Sequence, residues 1–182
     1  HELITLCERV RDRDSAPAAA PTERFWEVRT GRVIIATGAI ERPLLFANND
    51  RPGVMLASAA QGYLWRFGVL AGQTPVLFGG DDSLYSLARA LKDAGASVPA
   101  VVDLRADPGP VASAYDADGG KVIAGAVVAK AHGTKRVSGA EVWRIADGAS
   151  HIQETIATDA ILISGGLGPS LQLHAQSKGA LV

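Results

Sequence analysis

Cysteine is nearly absent: Cys7 is the only one in the chain. A lone thiol excludes an internal disulfide, a Cys-x-x-Cys redox pair and a multi-cysteine zinc site, so Cys7 is expected as a small apolar filler on a strand. The four histidines, His1, His132, His151 and His174, show neither i, i+4 nor His-Glu-x-x-His spacing, and no metal site is expected. No excess of one charge is present either, with 18 basic against 19 acidic side chains and no basic run. That balance argues against nucleic acid as a partner. Long apolar runs are missing as well. The longest, such as "GAVVAKA", fall far short of a membrane span, and no membrane partner is expected. The chain opens without a charged-then-apolar leader, which leaves the cytoplasm as the default compartment.

What is present is an ordinary soluble composition, 47% hydrophobic and 20% charged over 182 residues, enough for one large or two small domains. "HELITLCERV" and "FWEVRT" read as strands, and "RDRDSAPAAAPTER" between them as a polar, proline- and alanine-rich loop. "GRVIIATGA" reads as a turn and a buried β-branched strand. A long connection, "IERPLLFANNDRPGVM", leads to a helix over "SAAQGYLWRFGVL". That helix places Ala60, Tyr63, Leu64 and Phe67 on one face, with Ser58 as N-cap and Gly68 as stop. From Pro75 the pattern turns α/β. "PVLFGG" is a strand, "DSLYSLARALKDAGA" a helix ended by Gly95, and "SVPAVVDL" a second buried strand. "GPVASAYDADGG" suits a short helix, "KVIAGAVVAKA" short strands, and "SGAEVWRI" with "HIQETIATD" a hairpin around Asp147-Gly148. "AILISGG" is a last buried strand, and "SLQLHAQSKG" starts another helix. The expected fold class is α/β, a Rossmann-like three-layer domain with a mostly parallel sheet plus a β-meander, beginning near Gly72.

The turn at Gly79–Gly80 carries the chemistry. A strand running through glycine into a helix aims unpaired N–H groups and a partial positive charge at a phosphate. Asp82 and Ser83 open the helix, and Ser83 can hydrogen-bond a phosphate or simply start it. Asp103 ends the next strand at the distance expected of an acceptor for an adenosine ribose 2′-OH, which favours NAD over NADP. Arg105, two residues on, can lean over the adenine or meet a phosphate. Asp81 stands where a glycine is usual. A carboxylate about 4 Å from a phosphate costs roughly 1 kcal/mol in water and about 4 kcal/mol in a half-shielded site. Its other reading is an N-cap that satisfies the same N–H groups.

"VIIATGAIERP" resembles the Ala-Thr-Gly segment at which two-dinucleotide-domain flavoproteins cross from flavin domain to pyridine-nucleotide domain. On that resemblance Thr37 and Gly38 lie beside the ADP half of a flavin. More narrowly, "ATGAIERPLLFANNDRPGVMLASAAQGYLWRFGV" and "ISGGLGPSLQLHAQSKGALV" look like the α-subunit family of heterotetrameric sarcosine oxidase, with opine oxidase and hydrogen cyanide synthase large subunits. The latter segment adds Gly165 and Gly166 to the cofactor-binding residues, and Asp82-Ser83 matches the family's polar departure from a glycine loop.

The resemblance implies tightly held NAD in this domain and FAD as the parent's oxidant. It further implies other subunits in a hetero-oligomer, with an FMN between them and a folate-accepting domain. It divides the chain into partial flavin-domain strands and linker (1–71), an NAD-binding domain (72–167) and the start of a return to the flavin domain (168–182). The ends suggest a fragment of a longer polypeptide, inactive alone, and no catalytic residue is expected within it. The expected function is the NAD-binding part of a flavin-dependent amine oxidoreductase. The alternatives are an opine, imino-acid or cyanide-forming relative, or a degenerate scaffold on which an oligomer assembles.

Overall fold

The computed structural model describes residues 2–10, 21–146 and 149–177. The chain divides into two compact units, one of His1–Gly38 with Ser170–Val182 and one of Ala39–Pro169. In chain order the elements are β1 (Glu2–Arg9), β2 (Glu23–Thr30), β3 (Ala39–Glu41), β4 (Val54–Leu56), α1 (Ala57–Phe67), β5 (Pro75–Gly79), α2 (Ser83–Asp93) and β6 (Val101–Asp103). There follow α3 (Pro110–Ala117), β7 (Val122–Ala124), β8 (Ala126–His132), β9 (Gly139–Ala146), β10 (Ala149–Ala157), β11 (Ala160–Ser164), β12 (Leu167–Pro169) and α4 (Gln172–Gln176). No helix among the described residues is long and apolar enough to cross a membrane.

The larger unit is built on a five-stranded parallel sheet ordered β4-β11-β5-β6-β7. A parallel strand buried on both faces reads as an unbroken apolar run, and every residue of β5 and β11 is buried. Alternation divides these strands between two cores. Leu77 and Leu162 point to the helices and pack with Leu84, Tyr85, Leu87, Leu91 and Tyr115. Val76, Phe78, Ile161 and Ile163 point the other way, into a core shared with Val128, Val137, Val142 and Ile156. That second face is covered by the antiparallel sheet β10-β9-β8, completing helix, parallel-sheet and meander layers as expected. The hairpin reading of β9 and β10 agrees with their antiparallel register. Its turn, Asp147-Gly148, lies outside the described residues.

Helix α2 follows from its spacing: Leu84, Tyr85, Leu87, Ala88 and Leu91 form one buried stripe. Gly95 ends it in a left-handed conformation (φ +94°), and Ala96 N–H returns to Leu91 O. Helix α1 departs from expectation. Its buried residues are Ala57 and Ala60, whereas Tyr63 and Phe67 are exposed. Ser58 lies inside the helix, because β4 leads directly into it and leaves no capping residue. The acceptor comes instead from β3, where Glu41 Oε2 receives Ser58 N–H at 2.9 Å. Gly68 ends α1 in the left-handed region as read.

A polar clasp joins the entries of β5 and β11. Asp159 accepts the N–H groups of Gln73 (2.7 Å) and Thr74 (2.9 Å), while the buried Thr158 hydroxyl accepts Val76 N–H. Partial burial opposes the charged form of Asp159, but these backbone donors outweigh it and hold its pKa below the usual carboxylate value.

In the smaller unit β1 and β2 pair antiparallel, Glu2 opposite Thr30 through to Arg9 opposite Glu23. Cys7 sits on β1 as expected but is exposed, not buried filler. The loop read over residues 11–20 lies outside the described residues. The segment read as a buried strand, residues 32–38, joins no ladder, and Ile34 is 87% exposed. A β-branched run becomes a buried strand only between two neighbours, and no described segment of this unit supplies them.

Two outcomes test these packings. A Cβ on Gly79 runs into the Ser164 carbonyl oxygen, whereas one on Gly80 meets only Leu104 carbons at 3.6 Å. Gly79→Ala is therefore expected to lose about 1–3 kcal/mol in urea unfolding, and Gly80→Ala to change little. The second concerns Asp159, whose depressed pKa contributes stability above the unfolded value of about 3.9 that is lost as pH falls through the folded value. Asp159→Asn is expected to be less stable at neutral pH, with a flatter stability profile in acid.

Candidate functional site

The carboxyl ends of β5, β6 and β11 meet at one edge of the parallel sheet. Gly79 sits opposite Asp103 on one side and Ser164 on the other. The chain passes outward from β5 through β6 to β7, then returns by way of the meander to β11 on the opposite flank. The strand order therefore reverses beside β5, and open α/β sheets place their ligand crevice at such a point. A cleft of about 330 Å³ lies there, lined by Leu44, Gly80, Asp81, Leu104, Arg105 and the Ser164–Gly166 turn.

The glycines play unequal parts. Gly79 is a packing residue, for its bare Cα admits Leu84 and the Ser164 carbonyl. Gly80 faces the cleft with space to spare. Gly165 and Gly166 are held from behind by Arg42, whose backbone exchanges hydrogen bonds with both (2.8 and 2.9 Å). Gly166 takes φ +82°, which an L side chain adopts only with strain.

Asp81 behaves as a cap. One carboxylate oxygen accepts Ser83 N–H at 2.9 Å and the Ser83 hydroxyl, and the other accepts the Ser164 hydroxyl at 3.0 Å. Ser83 is thus tied to Asp81, and the first N–H of α2 already has an acceptor.

Asp103 corrects the sequence expectation most sharply. It is wholly buried, and both oxygens are engaged. Tyr85 Oη donates at 2.6 Å, Arg105 Nη2 at 2.8 Å, Arg105 Nε at 3.1 Å and Arg105 N–H at 2.8 Å. A carboxylate so placed faces into the fold and has no lone pair aimed at a ribose in the cleft. Arg105 occupies the mouth instead, with Nη2 also 2.9 Å from Asp82.

Burial opposes the charge on Asp103, but the bonds from Arg105 and Tyr85 prevail and lower its pKa. Arg105 is pushed above its ordinary value, first by Asp103 and then by Asp82. Tyr85 is pushed well above the usual phenol value, by burial first and by Asp103 second. Gly80, Arg105, Gly165 and Gly166 therefore share one cleft, with Asp82 and Asp103 holding Arg105 in it. Thr37 and Gly38 belong to the smaller unit, where Thr37 Oγ1 donates to Ser170 O at 2.6 Å and Gly38 O accepts Ser170 N–H. Sequence reasoning missed Tyr85. The available signal was a tyrosine on the sheet-facing stripe of α2, whose hydroxyl needs a partner when buried.

The site has an alkaline signature. A folded pKa raised above the unfolded value of about 10 gives stability present below that pH and lost as pH rises through the folded value. Tyr85→Phe leaves buried Asp103 short of a donor. It is expected to cost about 1–3 kcal/mol at neutral pH and to flatten the decline of stability above pH ~10, followed by urea unfolding across pH.

No protein-family profile matches the chain. Among curated proteins it is 41% identical over 173 residues to the sarcosine oxidase alpha subunit of Rhizobium meliloti (strain 1021), an alignment covering 94% of this chain and 17% of that protein. It is 39% identical to the sarcosine oxidase alpha subunit of Corynebacterium sp. (strain U-96), covering 87% of this chain and 17% of the relative. The A-type subunit of opine oxidase from Agrobacterium tumefaciens (strain Ach5) matches at 42% over 44% of this chain and 16% of its own length. The chain thus spans about a sixth of the curated relatives it matches. Among solved structures, a FAD-dependent pyridine nucleotide-disulphide oxidoreductase from Desulfovibrio vulgaris aligns with TM-score 0.61 and 17% identity, over 85% of this chain and 40% of that one. L-proline dehydrogenase from P. horikoshii aligns with TM-score 0.56 and 22% identity, over 87% and 26%. These two likenesses establish a shared fold. The sequence matches, at 37–41% identity over about nine-tenths of the chain, show that it is similar to one stretch of the sarcosine oxidase alpha subunit.

Proposed function

We propose that the Ala39–Pro169 unit is a pyridine-dinucleotide-binding domain that takes NAD at the cleft between β5, β6 and β11. The single observation carrying this reading is the cleft itself, at the strand-order reversal and floored by Gly80, Gly165 and Gly166. The cavity suits the adenosine end of such a ligand, since Gly80 and Gly166 leave room for close approach. Gly80, Arg105, Gly165 and Gly166 would hold it, Asp82 and Asp103 setting the position of Arg105 and Ser83 joining at the phosphate side.

In the same proposal the chain is one part of a flavin-dependent oxidoreductase acting on a secondary amine such as sarcosine, as its relatives' names suggest. His1–Gly38 and Ser170–Val182 contribute to its flavin side, with Thr37 and Gly38 near FAD, whereas residues 39–71, read from the sequence as flavin-domain strands and linker, fall within the Ala39–Pro169 unit on its NAD side. The parent assembles with other subunits, as the relatives' names also suggest, and a cytoplasmic location fits a composition without cysteine pairs.

One observation favours a second reading, a scaffold that has lost its nucleotide: Asp81 already occupies Ser83 N–H, the group that a phosphate would use. Calorimetric titration of the chain with NAD and NADP separates the two. Heat on NAD addition supports the first reading, whereas no binding to either nucleotide, with an intact circular dichroism spectrum, overturns it. Removing the charge with Asp81→Gly is expected to tighten NAD about five-fold, the equivalent of roughly 1 kcal/mol of relieved repulsion.

A further inference from the structure

Arg105 can be read one hydrogen at a time. A guanidinium recognises phosphate through a fork of two parallel N–H donors on one edge. Here Nε and Nη2 form that fork on Asp103, at 3.1 and 2.8 Å, and Nη2 also contacts Asp82 at 2.9 Å. The Nε hydrogen and both Nη2 hydrogens are therefore committed. What remains is the Nη1 amine and the flat face of the group, on a side chain one-third exposed in the cleft lining. No fork is left for a phosphate.

The surrounding charge points the same way. Asp82 and Asp103 both pair with this one guanidinium, so the group carries no net positive charge to attract an additional dianion. A planar cation whose edge is saturated still attracts the face of an aromatic ring. The plane is fixed because the Asp103 fork is buried and is itself anchored by Tyr85. Leu104, also in the cleft lining, offers an apolar surface beside it.

We propose that Arg105 is the stacking seat for the purine of the bound dinucleotide, and that Asp82, by occupying its Nη2, excludes a 2′-phosphate and so selects NAD over NADP. Discrimination then lies in what Arg105 has already bound, and Asp103 sets it indirectly as a positioning residue. This rests on the dinucleotide reading of the cleft.

The test is calorimetry on the chain and two variants. Wild type is expected to bind NAD more tightly than NADP. Asp82→Ala, at an exposed position, frees Nη2 and is expected to raise the NADP-to-NAD affinity ratio at least about ten-fold. Arg105→Lys keeps the charge and loses the plane, and is expected to weaken NAD and free AMP alike by about ten-fold. Should wild type bind NAD while Asp82→Ala leaves the ratio unchanged, or Arg105→Lys bind NAD and AMP as wild type does, the stacking and selection roles are overturned though the dinucleotide reading stands. Binding of neither nucleotide by wild type removes both.

Discussion

Asp103 is the one charged side chain withdrawn fully from water among the described residues, and the geometry of the cleft depends on how it is compensated. Ionised carboxylates tolerate such burial only with close partners of opposite charge and satisfied lone pairs. Arg105 supplies the charge and Tyr85 a further donor. The three residues come from three parts of the structure: Tyr85 from α2, Asp103 from the last position of β6, and Arg105 from the loop just beyond. Packing α2 against the sheet therefore delivers the Tyr85 hydroxyl, and ending β6 at Asp103 delivers the arginine. The helix–sheet core and the cleft are joined through this one set of hydrogen bonds.

The same logic separates the two faces of the unit. Toward the helices the core is leucine- and tyrosine-rich and reaches the cleft through Leu84 and Tyr85. Toward the meander it is β-branched, with Val76, Ile161 and Ile163 meeting Val128, Val137 and Val142. β-Branched side chains suit sheet-on-sheet packing, and side chains unbranched at Cβ suit helix stripes. The clasp at Thr158 and Asp159 fixes the entry of β5 and β11, and Gly79 fixes their exit by allowing Leu84 to approach. Between these ends the register of the parallel pair has little freedom, and the glycine turns come to face one another.

Much of this was legible because it is local. The β5–α2 unit announces itself through an apolar run, two glycines and a helical stripe, and α3, the hairpin strands and β11 follow from similar short-range patterns. What was not legible depends on neighbours. Residues 32–38 have the composition of a buried strand, but pairing needs partner strands that composition cannot supply. Tyr63 and Phe67 share a helical face, yet Ala57 and Ala60 are the residues of α1 that turn inward, because a close helix–sheet approach favours small side chains. Asp103 was placed correctly at a strand end and given the wrong direction. The sequence position of an acid says nothing about whether its oxygens face solvent or a tyrosine one layer below. Asp81 was legible in both of its roles, and its hydrogen bonds to Ser83 and Ser164 make it the cap.

The central claim is that the carboxyl edge of the parallel sheet receives a dinucleotide against a guanidinium fixed by Asp103. The most direct measurement is a ¹H–¹⁵N NMR titration of the chain with NAD that follows the Arg105 Nε–H together with the Gly80, Gly165 and Gly166 amides. The account predicts that these four signals move together along one saturable curve, with Arg105 Nε–H protected from exchange before and after addition. If they stay still while other amides respond, or the Arg105 signal exchanges freely in the ligand-free protein, the account is contradicted.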